Sequence, residues 1–100
     1  MRILIIGGGA ISTSTHIPRS REVVGIENVI VAEPNTQQAE VLRKKYGVLH
    51  IVSDYHDALQ EANICIIATP PHVRNAILKD CIAANLKNRN HSAAYGQARG

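Results

Sequence analysis

The 100-residue chain predicts an α/β fold built on a parallel sheet. Three observations carry that expectation. An apolar run, Ile3-Leu4-Ile5-Ile6, stops at three glycines, Gly7, Gly8 and Gly9. Two further apolar runs, residues 28–32 (NVIVA) and 64–68 (ICIIA), end at Glu33-Pro34 and Thr69-Pro70-Pro71. Segments with helical spacing lie between the runs. Continuous apolar strands suit a sheet buried on both faces, and their alternation with helices implies right-handed crossovers. The expected architecture is a Rossmann-type three-layer sandwich with a parallel sheet, incomplete in its strand count. Residues 1–84 form the domain, and residues 85–100 form a divergent, disordered tail.

Taken in order, residues 3–6 are the first strand. A helix should start near Ala10 and run to about Arg21. It should be irregular, because Ser12, Thr13, Ser14 and Thr15 are weak helix formers and Pro18 lacks a donor. Residues 28–32 are the second strand. Asn35 is placed to cap the next helix, with Gln38 at the capping-box position. In that helix Ala39, Leu42 and Tyr46 share a face, Glu40 and Lys44 pair, and Gly47 ends it in a left-handed conformation. Residues 48–52 are the third strand. A brief helical piece starts at Ser53 or Asp54 and runs to about Gln60. Residues 64–68 are a fourth strand buried on both faces. A stiff loop, Thr69-Pro70-Pro71, leads into a helix from His72 to about Ala84, whose apolar stripe is Val73, Ile77, Cys81 and Ala84.

Composition narrows the function. Hydrophobic residues make up 45% of the chain and charged residues 19%, an ordinary globular balance. Phe and Trp are absent, so the core must be aliphatic. No apolar run approaches the ~20 residues that span a bilayer. With no charged leader visible and both cysteines, Cys65 and Cys81, in apolar segments, the chain reads as cytoplasmic with reduced thiols. The net charge is +3, yet residues 1–84 carry eight basic and eight acidic residues. The excess lies in Lys87, Arg89 and Arg99, without a basic stripe or interleaved aromatics, which argues against nucleic acid.

Three signals carry chemistry. The first is Gly7-x-Gly9-x-x-Ser12 after a strand and before a helix. The first Gly permits the tight turn, the second lets backbone approach a pyrophosphate, and the third position needs a small residue for packing. Ser12 also brings a hydroxyl toward the phosphates. The second is Glu33, at the end of the second strand, where a carboxylate accepts from ribose hydroxyls and repels a 2′-phosphate. No arginine follows it, which favours NAD, with NADP less suited. The third is Thr69-Pro70-Pro71-His72 at the end of the fourth strand, a candidate wall of the cofactor cleft. A tight turn, a solvated Glu and a proline-led helix start are the competing readings of these same residues. No histidine, cysteine or carboxylate set has metal-ligand spacing, and no catalytic residue is identifiable from internal motifs.

The stretches GGGAISTSTHIP, VIVAEPN and ICIIATPPHVRNAIL, in that order, resemble the nucleotide-binding half of the Gfo/Idh/MocA oxidoreductases. The resemblance spans about residues 2–85. It implies that Gly7, Gly9, Ala10, Ile11 and Ser12 hold the pyrophosphate and that Glu33 holds the ribose. It places Thr69, Pro70 and Pro71, with His72 beside them, near the nicotinamide ribose. His16-Ile17-Pro18 matches a histidine that commonly follows the loop. That family continues into a Glu-Lys-Pro motif and a substrate domain, and residues 85–100 show neither. The expectation is a truncated member, through a frameshift near Asn85 or an artificial end, that binds a dinucleotide but is inactive alone on sugar or cyclitol hydroxyls. It would pair with a missing partner domain or form a homo-oligomer. The alternative is a non-catalytic dinucleotide-binding or assembly module. A methyltransferase is disfavoured by the glycine spacing and the Thr-Pro-Pro loop.

Overall fold

A computed structural model describes residues 1–87, with side chains to Ala84. Four parallel strands, β1 (Ile3–Ile6), β2 (Val29–Ala32), β3 (His50–Val52) and β4 (Ile64–Ile67), form one sheet in the order β3-β2-β1-β4. In register, Ile3 faces Val29 on one side and Ile64 on the other, and Ile30 faces His50. The helices are α1 (Ile17–Val24), α2 (Thr36–Tyr46) and α3 (Pro71–Lys87). The expected α/β three-layer architecture is present.

Strand periodicity divides the core. Ile3, Ile5, Val29 and Val31 point to one face and pack with Ile17 of α1, Leu42 of α2 and Val48. Leu4, Ile6, Ile30, Ala32, Cys65 and Ile67 point to the other and meet Ile77, Cys81 and Ala84 of α3. Every residue of β1 and β2 is therefore buried, as the unbroken apolar runs require. β4 departs from the expectation of two buried faces. Cys65 and Ile67 are buried, but Ile64 and Ile66 are only half so. β4 ends the sheet among the described residues, and its Ile64 and Ile66 side has no helix seated on it as closely as α3 is on the other.

The first helix is irregular for the reasons its composition suggests. Residues Ser12–His16 form a π turn, in which the Ile17 N–H donates to the Ser12 carbonyl five residues back. Thr13 Oγ1 donates to the Ala10 carbonyl at 3.1 Å, competing with the backbone ladder. Pro18 follows Ile17, in the first turn of α1, where its missing N–H is tolerated. The regular helix then continues to Val24, beyond the expected Arg21.

α2 begins with Asn35 Oδ1 accepting from the Gln38 N–H at 3.0 Å. It carries Glu40 against Lys44 at 3.7 Å and Arg43 at 2.8 Å. Gly47 ends it at φ 70°, a left-handed conformation. The third strand starts later than expected. The Val48 N–H is used to close α2, donating to the Leu42 carbonyl at 3.1 Å, so pairing begins only at His50. The helical piece after β3 is a single 3-10 turn, Tyr55–Asp57, opened by Asp54.

α3 starts at Pro71, so Ala68, Thr69 and Pro70 form the loop after β4. Proline at a first helical position costs no hydrogen bond. The expected stripe holds at Ile77, Cys81 and Ala84, but Val73 is exposed. The helix runs to Lys87, past the expected end at Ala84. The rest of the expected tail lies outside the described residues.

Ile5 is fully buried in the central strand. Ile5→Ala should lower unfolding free energy by about 2–5 kcal/mol, read from urea denaturation. Val23→Ala, at a side chain 74% exposed, should change it by less than about 0.5 kcal/mol.

Candidate functional site

The strand order reverses between β1 and β4, because β2 and β3 lie on one side of β1 and β4 on the other. Ligands of open α/β sheets sit at the carboxyl ends of the strands beside such a point. Here those ends are stitched together. The Gly7 N–H donates to the Ala32 carbonyl at 2.9 Å, the Ala68 N–H to the Ile6 carbonyl at 2.9 Å, and the Glu33 N–H to the Val52 carbonyl at 2.8 Å.

The three glycines differ in what they tolerate. Gly7 has φ 106°, and a Cβ there would stand 2.9 Å from the Ala68 carbonyl oxygen. A Cβ on Gly8 would stand 2.6 Å from Leu42 Cδ1. A Cβ on Gly9 would meet nothing within 4 Å. Thus Gly7 is required by the fold, Gly8 is packed tightly against Leu42, and Gly9 faces open space at the start of the helix. That space is where a phosphate can come close to backbone N–H groups.

Gly8 is held on both of its backbone groups. Its N–H donates to Glu33 Oε1 at 2.9 Å, and its carbonyl accepts from Gln38 Nε2 at 2.6 Å. Glu33 Oε2 accepts from the Asn35 N–H at 2.9 Å. The capping box is therefore split between two partners. Glu33 takes the Asn35 N–H that Gln38 would have reached in a closed box, leaving Gln38 free to brace the glycine loop. Sequence reasoning missed this role of Gln38, because its partner lies thirty positions away. Ser12 is also placed differently from expectation. It is fully buried, and its hydroxyl donates to the Gly7 carbonyl. The hydroxyl anticipated near the phosphates is used to hold the turn closed.

Ala10 and Ile11 open the helix after Gly9, with Ala10 exposed and Ile11 half-buried. Thr69 stands beside Gly7, its Cγ2 3.3 Å from where a Cβ there would lie. Pro70, Pro71 and His72 are exposed. Among the described residues, three buried side-chain polar atoms have no partner: His16 Nε2, Thr69 Oγ1 and Arg74 Nε. They belong to the π turn, the loop after β4 and the first turn of α3. Burial, and then the Arg19 charge, lower the His16 pKa below its ordinary value. Arg74 was not singled out in the sequence, although its place three residues before Ile77 and seven before Cys81 puts it on the buried face of α3.

A groove of about 420 Å³ opens at the carboxyl end of the sheet, lined by Ile6 and Gly7, Ala32 and Pro34, Ser53, Asp54 and Tyr55, and Ile77. It is flanked by Glu33 in sequence and has mainly apolar walls, with the size and character of a small-ligand cleft. The loop after β3 was not singled out in the sequence, yet it supplies a whole wall.

This fold, with a glycine turn at the reversal point and an acidic residue closing β2, defines a nucleotide-binding domain of the pyridine-nucleotide oxidoreductases. Residues 2–90 match the family described as NADP oxidoreductase, coenzyme F420-dependent, and the chain belongs to that family. Pyrroline-5-carboxylate reductase of Mycobacterium tuberculosis is 30% identical over 92 residues, which are 92% of this chain and 30% of that protein. The chain thus spans less than a third of the length of these curated relatives. Among solved structures, scyllo-inositol dehydrogenase from Lactobacillus casei superposes with a TM-score of 0.66 at 14% identity, over 96% of this chain and 36% of that one. Levoglucosan dehydrogenase in complex with NADH and L-sorbose gives 0.70 at 17% identity, over 95% and 26%. These two likenesses are of fold. No helix of the described residues is long and apolar enough to cross a membrane.

Alanine at the two loop glycines should separate their roles in thermal melting. Gly7→Ala should cost at least about 1–3 kcal/mol from strain alone, with the Ala68 contact adding to it. Gly9→Ala should leave the melting temperature nearly unchanged.

Proposed function

We propose that this chain is the NAD(H)-binding portion of an oxidoreductase. The observation that carries the reading is the unequal treatment of the glycines. Gly7 and Gly8 are locked by Ala68, Leu42, Glu33 and Gln38, while the space over Gly9 stays open. A rigid turn with one open face is suited to a pyrophosphate. Gly9, Ala10 and Ile11 would present backbone to it, with Gly7 and Ser12 holding the turn. Thr69 Oγ1, buried and unpartnered, would find its partner in the ligand, and Pro70, Pro71 and His72 would flank the nicotinamide side. When bound, the nicotinamide would carry the hydride, and the protein would orient it.

Glu33 supports NAD over NADP. Its carboxylate is fixed by the Gly8 and Asn35 N–H groups and retains lone pairs for a ribose hydroxyl. A 2′-phosphate in the same place would meet a like charge. The substrate would be held by parts of a longer protein or a partner subunit. The resemblance read from the sequence and the sugar dehydrogenase fold support a sugar or cyclitol hydroxyl, as in the Gfo/Idh/MocA proteins. The identity to pyrroline-5-carboxylate reductase supports a second reading, reduction of a substrate of that kind.

Calorimetric titration of the purified chain with NADH, NADPH and S-adenosylmethionine tests the proposal. NADH should bind best, and binding of S-adenosylmethionine alone would overturn it. Gly9→Asp should abolish NADH binding with an unchanged melting temperature, since the carboxylate fills space the fold leaves empty. Glu33→Ala should weaken both nucleotides through the freed Gly8 N–H. It should also shift the NADPH-to-NADH affinity ratio toward NADPH by on the order of tenfold.

A further inference from the structure

The loop after β3 and the middle of α3 meet in a polar cluster outside the glycine turn. His56 lies between two carboxylates. Its Nδ1 is 2.6 Å from Asp54 Oδ1, and its Nε2 is 3.0 Å from Asp80 Oδ2. The Tyr55 hydroxyl donates to that same Asp80 oxygen, and the Tyr55 and His56 rings stack at 4.1 Å. Asp80 sits three residues after Ile77 on α3, so one helix face supplies both. Tyr55, Asp54 and Ile77 line the 420 Å³ groove.

The geometry sets a protonation requirement. Each ring nitrogen of His56 faces an acceptor, and a neutral imidazole has one N–H. Only the imidazolium donates to both Asp54 and Asp80. In the neutral form one nitrogen lone pair opposes a carboxylate, so Asp54 and Asp80 compete for the single N–H and the tie from the loop to α3 weakens. Asp54 and Asp80 are the charged groups facing the ring, from the loop and from α3 respectively, and the Tyr55 hydroxyl is the third titratable neighbour.

We infer that His56 and Asp80 are positioning residues: protonated His56 ties the β3 loop to α3 and so fixes Tyr55 as a wall of the nucleotide groove. The inference rests on the nucleotide reading of that groove. It adds a dependence on pH that the glycine turn does not provide. The Asp54 hydrogen bond, followed by that of Asp80, holds the His56 pKa above its ordinary 6.5. The two-sided bridge is therefore complete below pH 6.5, and one of its two bonds is lost as pH rises through the folded-state value. The Tyr55 hydroxyl, together with His56, holds the Asp80 carboxyl below its usual range, so the acceptor stays charged throughout.

The experiment pairs two readouts on the full chain. Nitrogen-15 NMR follows the His56 ring, assigned by its loss in His56→Gln, while calorimetry follows NAD affinity from about pH 6 to about pH 8.5. Circular dichroism confirms that each variant is folded. The wild-type ring should titrate above 6.5. Asp80→Asn should bring it down toward that value. NAD affinity should fall on the order of two- to fivefold across the wild-type midpoint, the range that exposed ion pairs reach. It should be flat with pH in Asp80→Asn, which loses the charged partner, and should stay pH-dependent in Tyr55→Phe, where His56 and Asp80 remain paired. An ordinary His56 midpoint insensitive to Asp80→Asn would overturn the bridge. A raised midpoint with flat NAD affinity would overturn the positioning role. A raised midpoint with no NAD bound at any pH would instead overturn the nucleotide reading of the groove.

Discussion

The close approach of β1 and β4 at their carboxyl ends governs the rest of the structure. The Ala68 carbonyl oxygen lies 2.9 Å from where a Cβ on Gly7 would be, and Gly7 turns there at φ 106°. Only glycine meets both conditions. Were that contact looser, β1 and β4 could not pair through to Ile6 and Ile67, and the reversal of strand order would not coincide with the start of the first helix. The same turn aims the Gly7 carbonyl at Ser12, so the first turn of the helix is tied to the strand that precedes it. Fold and site share one constraint at this point.

Around that turn the polar groups divide the work economically. Glu33 and Gln38 saturate the backbone of Gly8, Ser12 saturates the carbonyl of Gly7, and the region over Gly9 is left open. A loop whose own polar groups are already paired does not collapse onto its ligand site. The unpartnered atoms are then meaningful by contrast. Buried polar groups are nearly always satisfied, and His16 Nε2, Thr69 Oγ1 and Arg74 Nε are not. The groove beside the turn has a different wall, built from the β3 loop and α3 and joined by side-chain charge.

Much of this was legible in the residues. The unbroken apolar runs at β1 and β2 announced strands buried twice, and the alternation with helices announced a parallel sheet. Ser12 to Thr15 with Pro18 announced an irregular first helix, though not that the irregularity would be a π turn. Gly47 and Asn35 marked the ends of α2 correctly, because capping is local chemistry. The reading slipped at other positions. Val48 closes α2 instead of opening β3. Gln38 braces Gly8 instead of completing a capping box. Val73 falls outside the stripe that Ile77, Cys81 and Ala84 form against the sheet.

By itself, then, the sequence determined the elements, their parallel arrangement, the glycine turn and the acidic residue that closes β2. Those features arise from periodicity, steric permissiveness and capping, which act within a few residues. Only the tertiary structure decided which backbone groups Glu33, Gln38 and Ser12 would satisfy, and that Tyr55, His56 and Asp80 would meet. Side-chain hydrogen bonds act over about 3 Å, and which groups come that close depends on how strands far apart in sequence are ordered in the sheet. The order β3-β2-β1-β4 brings the loop after β3 and the helix after β4 to the same end of the molecule, and no local pattern encodes that meeting.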